Sequence, residues 1–137
     1  MSRLILFVAA ALASAALLVP AAIAASSASP VVVIHSARFG NVLATRGHLA
    51  FYTWNREKDH KVHCTGACAK AWPPITVPKG TRVAAHVKGA MGVFGTIVRP
   101  DGRTQLTFDK RPVYTYHGDT ATTILCNGVD GWYVVKA

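Results

Sequence analysis

The sequence predicts a mainly β fold: a single small domain of two pseudo-symmetric antiparallel β repeats, with one short helix after Cys64. Three observations lead there. Tyr52-Thr53-Trp54-Asn55-Arg56-Glu57 returns as Tyr114-Thr115-Tyr116-His117-Gly118-Asp119, and in the same register Cys64 falls on Cys126, Gly66 on Gly128, Gly40 on Gly102 and Thr45 on Thr107. An aromatic–x–aromatic–x–x–acid unit followed by Cys-x-Gly at matching distance marks a duplication. Short β-branched and aromatic runs alternate with Gly, Pro and Asp turn signals throughout. Gly66–Trp72 combines high helix propensity with a lack of β-branched residues.

Repeat 1 spans about 31–77. Val31–Ile34 is a β-branched run that ends in a loop at Arg38-Phe39-Gly40-Asn41. Val42–Thr45 and Leu49–Trp54 read as strands joined by Arg46-Gly47-His48. Leu49, Phe51 and Thr53 share one face of the second strand while Ala50, Tyr52 and Trp54 share the other. Both faces carry bulk, which suits a strand buried on two sides or an aromatic-lined groove on one. Thr65 is placed to cap a helix of about two turns, which Pro73-Pro74 stops. Ile75–Val77 is a short extended piece, and a looser Gly-containing stretch follows it.

Repeat 2 spans about 93–137. Phe94–Arg99 reads as a strand, with Pro100-Asp101-Gly102 as a turn in which Gly takes the left-handed position. Gln105–Phe108 returns, Asp109-Lys110-Arg111-Pro112 turns again, Val113–Tyr116 is a third strand and Trp132–Val135 closes the domain.

Residues 1–24 read as a signal peptide: Arg3 gives a positive start, Leu4–Val19 is apolar, and Ala22-Ile23-Ala24 is an A-x-A cleavage site. The apolar run falls short of the ~20 residues that span a bilayer. Cleavage after Ala24 leaves an exported protein, periplasmic or extracellular, with residues 25–30 as a disordered leader and no transmembrane segment in the mature chain. The full chain carries 15 Lys+Arg against 6 Asp+Glu, a formal +9, and loss of Arg3 lowers it by one. Such charge on an exported protein either draws it to anionic cell-envelope components as partners or serves only to keep it soluble. The basic residues are scattered rather than run together, which argues against a nucleic-acid site.

The run Cys64-Thr65-Gly66-Ala67-Cys68-Ala69-Lys70-Ala71-Trp72-Pro73-Pro74 resembles the secreted-repeat family of bacterial predicted lipoproteins named for a Tyr-x-(Phe/Trp/Tyr)-x-x-Asp motif. Tyr114, Tyr116 and Asp119 meet that motif in full, and Tyr52 and Trp54 meet it with Glu57 in place of Asp. Gly95–Gly102 and Gly131–Val135 are also similar to the family's second half. The resemblance implies an exported β-rich domain, often lipid-anchored, with no assigned activity. No lipobox cysteine is present, so lipid anchorage is not implied here. Cys126 is a departure from the family pattern.

The cysteines are three, an odd number for an exported protein. The sequence allows three pairings, among them Cys64–Cys68, whose spacing can meet the required Cα separation, and Cys64–Cys126, which joins equivalent positions of the repeats. The resemblance implies Cys64–Cys68, because the family motif carries that pair together, with Cys126 free. Alternatively His60, His63, Cys64 and Cys68, if reduced, form an N/S set suited to Zn or Cu, and the protein is a metal-binding or electron-transfer accessory. Oxidation on export and the adjacency of His63 to Cys64 count against that set, and the expected cofactor is none. His35, His48, His86 and His117 are scattered, His117 lying within reach of Asp119 along the chain; Met91 sits in a Gly-rich stretch.

Glu57 and Asp119 admit two readings. As paired carboxylates they suit acid–base hydrolysis if they face a shared cleft. As the last residues of duplicated aromatic strands they suit turn capping, accepting backbone N–H bonds. The duplication favours the second. Tyr52, Trp54, Tyr114 and Tyr116 are expected in the core and at its polar edge, with a glycan- or quinone-binding surface as the alternative. No nucleophile elbow, phosphate loop or dinucleotide fingerprint is present. The expectation is a non-catalytic binding or structural protein of the envelope.

Overall fold

A computed structural model describes residues 29–137. The expected signal peptide and most of the expected leader lie outside the described residues.

The domain is mainly β with antiparallel pairing throughout. Strands β1 (Val31–Ser36) and β2 (Gly40–Thr45) form a hairpin, and β3 (Tyr52–Trp54) leads into a 3₁₀ turn at Asn55–Glu57. Helix α1 (Ala67–Ala71) precedes β4 (Thr76–Val77). In the second half β5 (Phe94–Val98) and β6 (Thr104–Phe108) form the matching hairpin, followed by β7 (Arg111–Pro112) and β8 (Trp132–Val134). β4 and β5 flank β6, β7 also pairs with β6, and β3 pairs with β8.

The repeats interlock by exchanging their last strands. The end of repeat 1 joins the hairpin of repeat 2, where Ile75 N–H bonds Val113 O and Leu106 N–H bonds Ile75 O. The end of repeat 2 does the same in repeat 1: Val135 N–H bonds Phe51 O, and Leu43 N–H bonds Val135 O. Between these two exchanges Tyr52 and Tyr114 face each other, their backbones bonded in both directions at 2.8 and 3.0 Å. The pseudo-twofold axis therefore passes between the two motif tyrosines.

This pairing corrects the repeat register at the hairpins. The tip pairs are Ser36 with Gly40 and Arg99 with Arg103, which makes Leu43 equivalent to Leu106 and Ser36 equivalent to Arg99. Gly40 and Thr45 therefore lie one position away from Gly102 and Thr107. The turn after β2 is one residue longer than the Asp109-Lys110 turn, and the slip is absorbed there.

The sheets separate two cores. Val31, Leu43, Phe51, Phe94, Leu106, Phe108, Val113 and Val135 fill one, wholly apolar. Val42, Ala50, Tyr52, Cys64, Trp72, Tyr114, Trp132 and Val134 fill the other. Phe51 and Tyr52 thus go to opposite cores, as strand alternation requires, and the segment is buried on both sides.

Three local expectations differ. The helix is shorter than two turns, and Thr65 does not cap it: Gly66, at φ 56°, is the capping residue and makes no side-chain bond. The segment Val113–Tyr116 is extended but forms only bridges, because its neighbour is Pro73-Pro74, which has no N–H to offer a ladder. Arg111 and Pro112 belong to a strand, leaving Asp109 and Lys110 alone in the turn.

Candidate functional site

Each repeat closes the other's motif. The Tyr52 hydroxyl of repeat 1 donates to Asp119 Oδ2 of repeat 2 at 2.7 Å. The Tyr114 hydroxyl of repeat 2 donates to Glu57 Oε1 of repeat 1 at 2.8 Å. Both carboxylates also hold their own loops: Glu57 Oε1 accepts from His63 N–H at 2.7 Å and Cys64 N–H at 3.0 Å, and Asp119 Oδ1 accepts from Leu125 N–H at 3.0 Å. All four side chains are buried. The acids thus accept backbone N–H bonds in the way turn capping requires. A hydrolase reading needs two carboxyls facing one open cleft, and Glu57 has no exposed surface at all.

Aromatic packing follows the same axis. Trp72, shortly before β4, and Trp132, the first residue of β8, stack at 4.0 Å and 7°. Trp72 meets Tyr52 edge-on and lies against Tyr116; Trp132 meets Tyr114 edge-on and stacks on Trp54. The motif aromatics therefore form a core rather than an open surface, with Trp54 and Tyr116 half-buried at its two edges.

The two centres are alike in skeleton and unlike in charge. Around Glu57, buried Arg99 donates to Gln105 Oε1 at 2.5 Å and to Cys64 O at 2.8 Å, and it also pairs with Asp101. Arg111 donates to Trp54 O at 2.7 Å; burial lowers its pKa, and the charge of Glu57 opposes that shift. Around Asp119 the equivalents of Arg99 and Gln105 are Ser36 and Val42, which carry no charge. Burial first, then the bond to Asp119 and its charge, pushes the Tyr52 hydroxyl far above the ordinary value of 10.0. Burial and then the charge of Glu57 do the same for Tyr114. The neighbouring Cys126 thiol raises Tyr116.

Cys64 and Cys68 form a disulfide with Cα atoms 5.2 Å apart, and Cys126 is a free, half-buried thiol. The disulfide takes both thiolates from the His60/His63/Cys64/Cys68 set. His63 Nε2 instead meets Asp59 Oδ2 at 2.8 Å, and His60 is exposed. Among the described residues no group of three or more His, Cys, Asp or Glu is placed to hold a metal. His35 pairs with Asn41, His86 is exposed, and His117 packs edge-on against Tyr116 while both oxygens of Asp119 are engaged elsewhere. Met91 is 93% exposed.

Trp72, Trp132, Arg99, Gln105 and Arg111 are the participants that motif reading misses. The tryptophans had a signal: each stands at or near the start of its repeat's last strand, but the spacing differs slightly from that of the motif. The basic and amide residues had none, since they belong to one repeat only.

Near Asp119 a cleft of about 390 Å³ opens between the tip of the first hairpin, His48 and the Thr120–Ile124 loop. Its lining includes His35, Ser36, Arg38, Phe39, Thr120 and Thr122, and no carboxylate.

Residues 95–136, most of the second repeat, match the model of a family described as a secreted repeat of unknown function. The resemblance drawn from the motifs holds over that span, and it agrees with export. No curated protein and no solved structure matches the chain. Among the described residues no helix is long and apolar enough to cross a membrane.

Proposed function

We propose that the protein is an exported, non-catalytic domain of the bacterial cell envelope, periplasmic or at the cell surface, that binds anionic envelope components through its basic exterior. One observation carries this reading: among the described residues twelve Lys and Arg side chains are exposed against four Asp. Glu57 and Asp119 are buried, whereas every lysine among the described residues is exposed. Of the acids that reach the surface, Asp101 is held well below the usual carboxylate range, chiefly by Arg103, and Asp59 is lowered chiefly by its bond to His63. Asp109 and Asp130 are exposed as well, and the surface still carries a clear excess of Lys and Arg over these four acids. The engagement of both motif carboxylates with tyrosine and backbone donors supports a structural rather than catalytic role for them.

The test is retention of the mature protein on immobilised polyphosphate as salt is raised. Screening shortens the Debye length from about 30 Å at 0.01 M to about 3 Å at 1 M, so retention falls steeply across that range if surface charge carries it. Absent or salt-insensitive retention rejects the reading.

A further inference from the structure

We propose that the cleft beside Asp119 is a binding site for a small organic anion, a phosphate or carboxylate group carried on an apolar or aromatic body. This deepens the reading above by giving it one defined site, and it rests on a comparison the molecule makes with itself. In the second repeat Arg99 leaves the hairpin tip and crosses to the carbonyl of Cys64, filling the space between hairpin and loop with a buried guanidinium. Its equivalent in the first repeat is Ser36, whose hydroxyl stays at home and accepts from Phe39 N–H at 3.3 Å. A side chain that short cannot cross, and the cleft lies open between the first hairpin and the Thr120–Ile124 loop.

The charge is inverted as well. Asp101 and Gln105, which satisfy Arg99, are replaced by Arg38 and Val42 at the equivalent positions. Asp119 adds no negative surface, since it is buried and both its oxygens are bonded. Arg38, His35 and His48 line the space with the hydroxyls of Thr120 and Thr122, over an apolar floor of Ile34 and Ile124. At one wall the Phe39 ring carries two cations, Arg38 and Lys136, each 5.2 Å from its centroid, and Lys136 Nζ also donates to Phe39 O. Donors and cations around an apolar base suit an anionic head on an apolar body. The volume lies near the low end of the ~300–1,000 Å³ of small-molecule sites, which favours a small ligand.

The test follows amide NMR shifts of the mature protein during titration with phenyl phosphate, with benzyl alcohol as the uncharged control. Saturable shifts confined to residues 34–39, 48 and 120–124 are expected, with benzyl alcohol binding at least about tenfold more weakly. Ser36→Arg restores the residue of the other repeat and fills the cleft. It should weaken phenyl phosphate at least about tenfold while leaving polyphosphate retention equal or higher, because it adds positive charge. If Ser36→Arg fails to fold, Arg38→Gln provides the same readout with an expected weakening of about tenfold. Shifts that do not saturate, shifts spread over the exposed lysines, equal binding of benzyl alcohol, or wild-type affinity in the variant overturn the proposal. Saturable cleft binding without polyphosphate retention rejects the diffuse-charge reading alone.

Discussion

Tyr52 and Tyr114 each bury a hydroxyl whose only full satisfaction is a carboxylate from the opposite repeat. A buried donor left without that acceptor costs the desolvation of a polar group, so these bonds constrain the fold more than their net strength suggests. They also set its alkaline limit. Both hydroxyls titrate well above 10.0 in the folded state. A raised folded pKa means the native state holds its proton more tightly than the unfolded chain does. The stability it supplies is complete below pH 10 and drains away as pH rises from 10 through the folded values. The expected outcome of an alkaline titration is that Tyr52 and Tyr114 contribute tyrosinate absorbance only in step with loss of the near-ultraviolet circular dichroism signal. Tyrosinate formation by all four tyrosines while that signal persists contradicts this. Turn capping by Glu57 and Asp119 was legible because a carboxylate bonds to backbone a few residues on, a local pattern. The cross-repeat tyrosine was not, because it depends on how Tyr52 and Tyr114 pair across a distance in sequence that no local rule encodes.

At the scale of elements, hairpins were legible wherever turn chemistry was standard. Asp101-Gly102 announces its turn, with Gly102 at φ 81°. Asp109-Lys110 is the informative exception: both residues have positive φ, 48° and 65°, the conformation a two-residue hairpin demands, yet neither is glycine. Without the glycine that signals such a turn the sequence predicts a wider one, and a lysine there is strained. Lys110→Gly is therefore expected to stabilise the domain by roughly 1 kcal/mol, the left-handed penalty of a non-glycine residue less the added chain entropy. Chemical denaturation measures it, and a destabilised variant would show that the lysine side chain contributes something the strain argument omits. The helix is shorter than its sequence predicts for a related reason. Gly66 at φ 56° starts the turn late, and the disulfide joins its first residues to Cys64, so propensity over Gly66–Trp72 had less chain to act on. The Val113–Tyr116 segment lost its ladder to the two prolines opposite it, a tertiary fact outside its own sequence.

For the whole molecule, the duplication is what made the architecture readable and what makes its two halves comparable. The interlock places the last strand of each repeat in the other's sheet, so neither half completes a core by itself. Within that shared frame the repeats have diverged at a few positions: Arg99 against Ser36, Gln105 against Val42, a disulfide against a free Cys126. One centre is filled and polar, the other is open with a basic rim. Symmetry accounts for the fold, and departure from symmetry locates the candidate site. That division rests on the claim that the motif residues are cross-repeat structural partners. The most direct test is a double-mutant cycle on stability with Tyr52→Phe, Asp119→Ala and the pair. The account predicts a coupling of about 1.5–3 kcal/mol, the range of a buried hydrogen bond to a charged group. Additivity within about 0.5 kcal/mol would contradict it, and the motif would then owe its presence to something other than holding the repeats together.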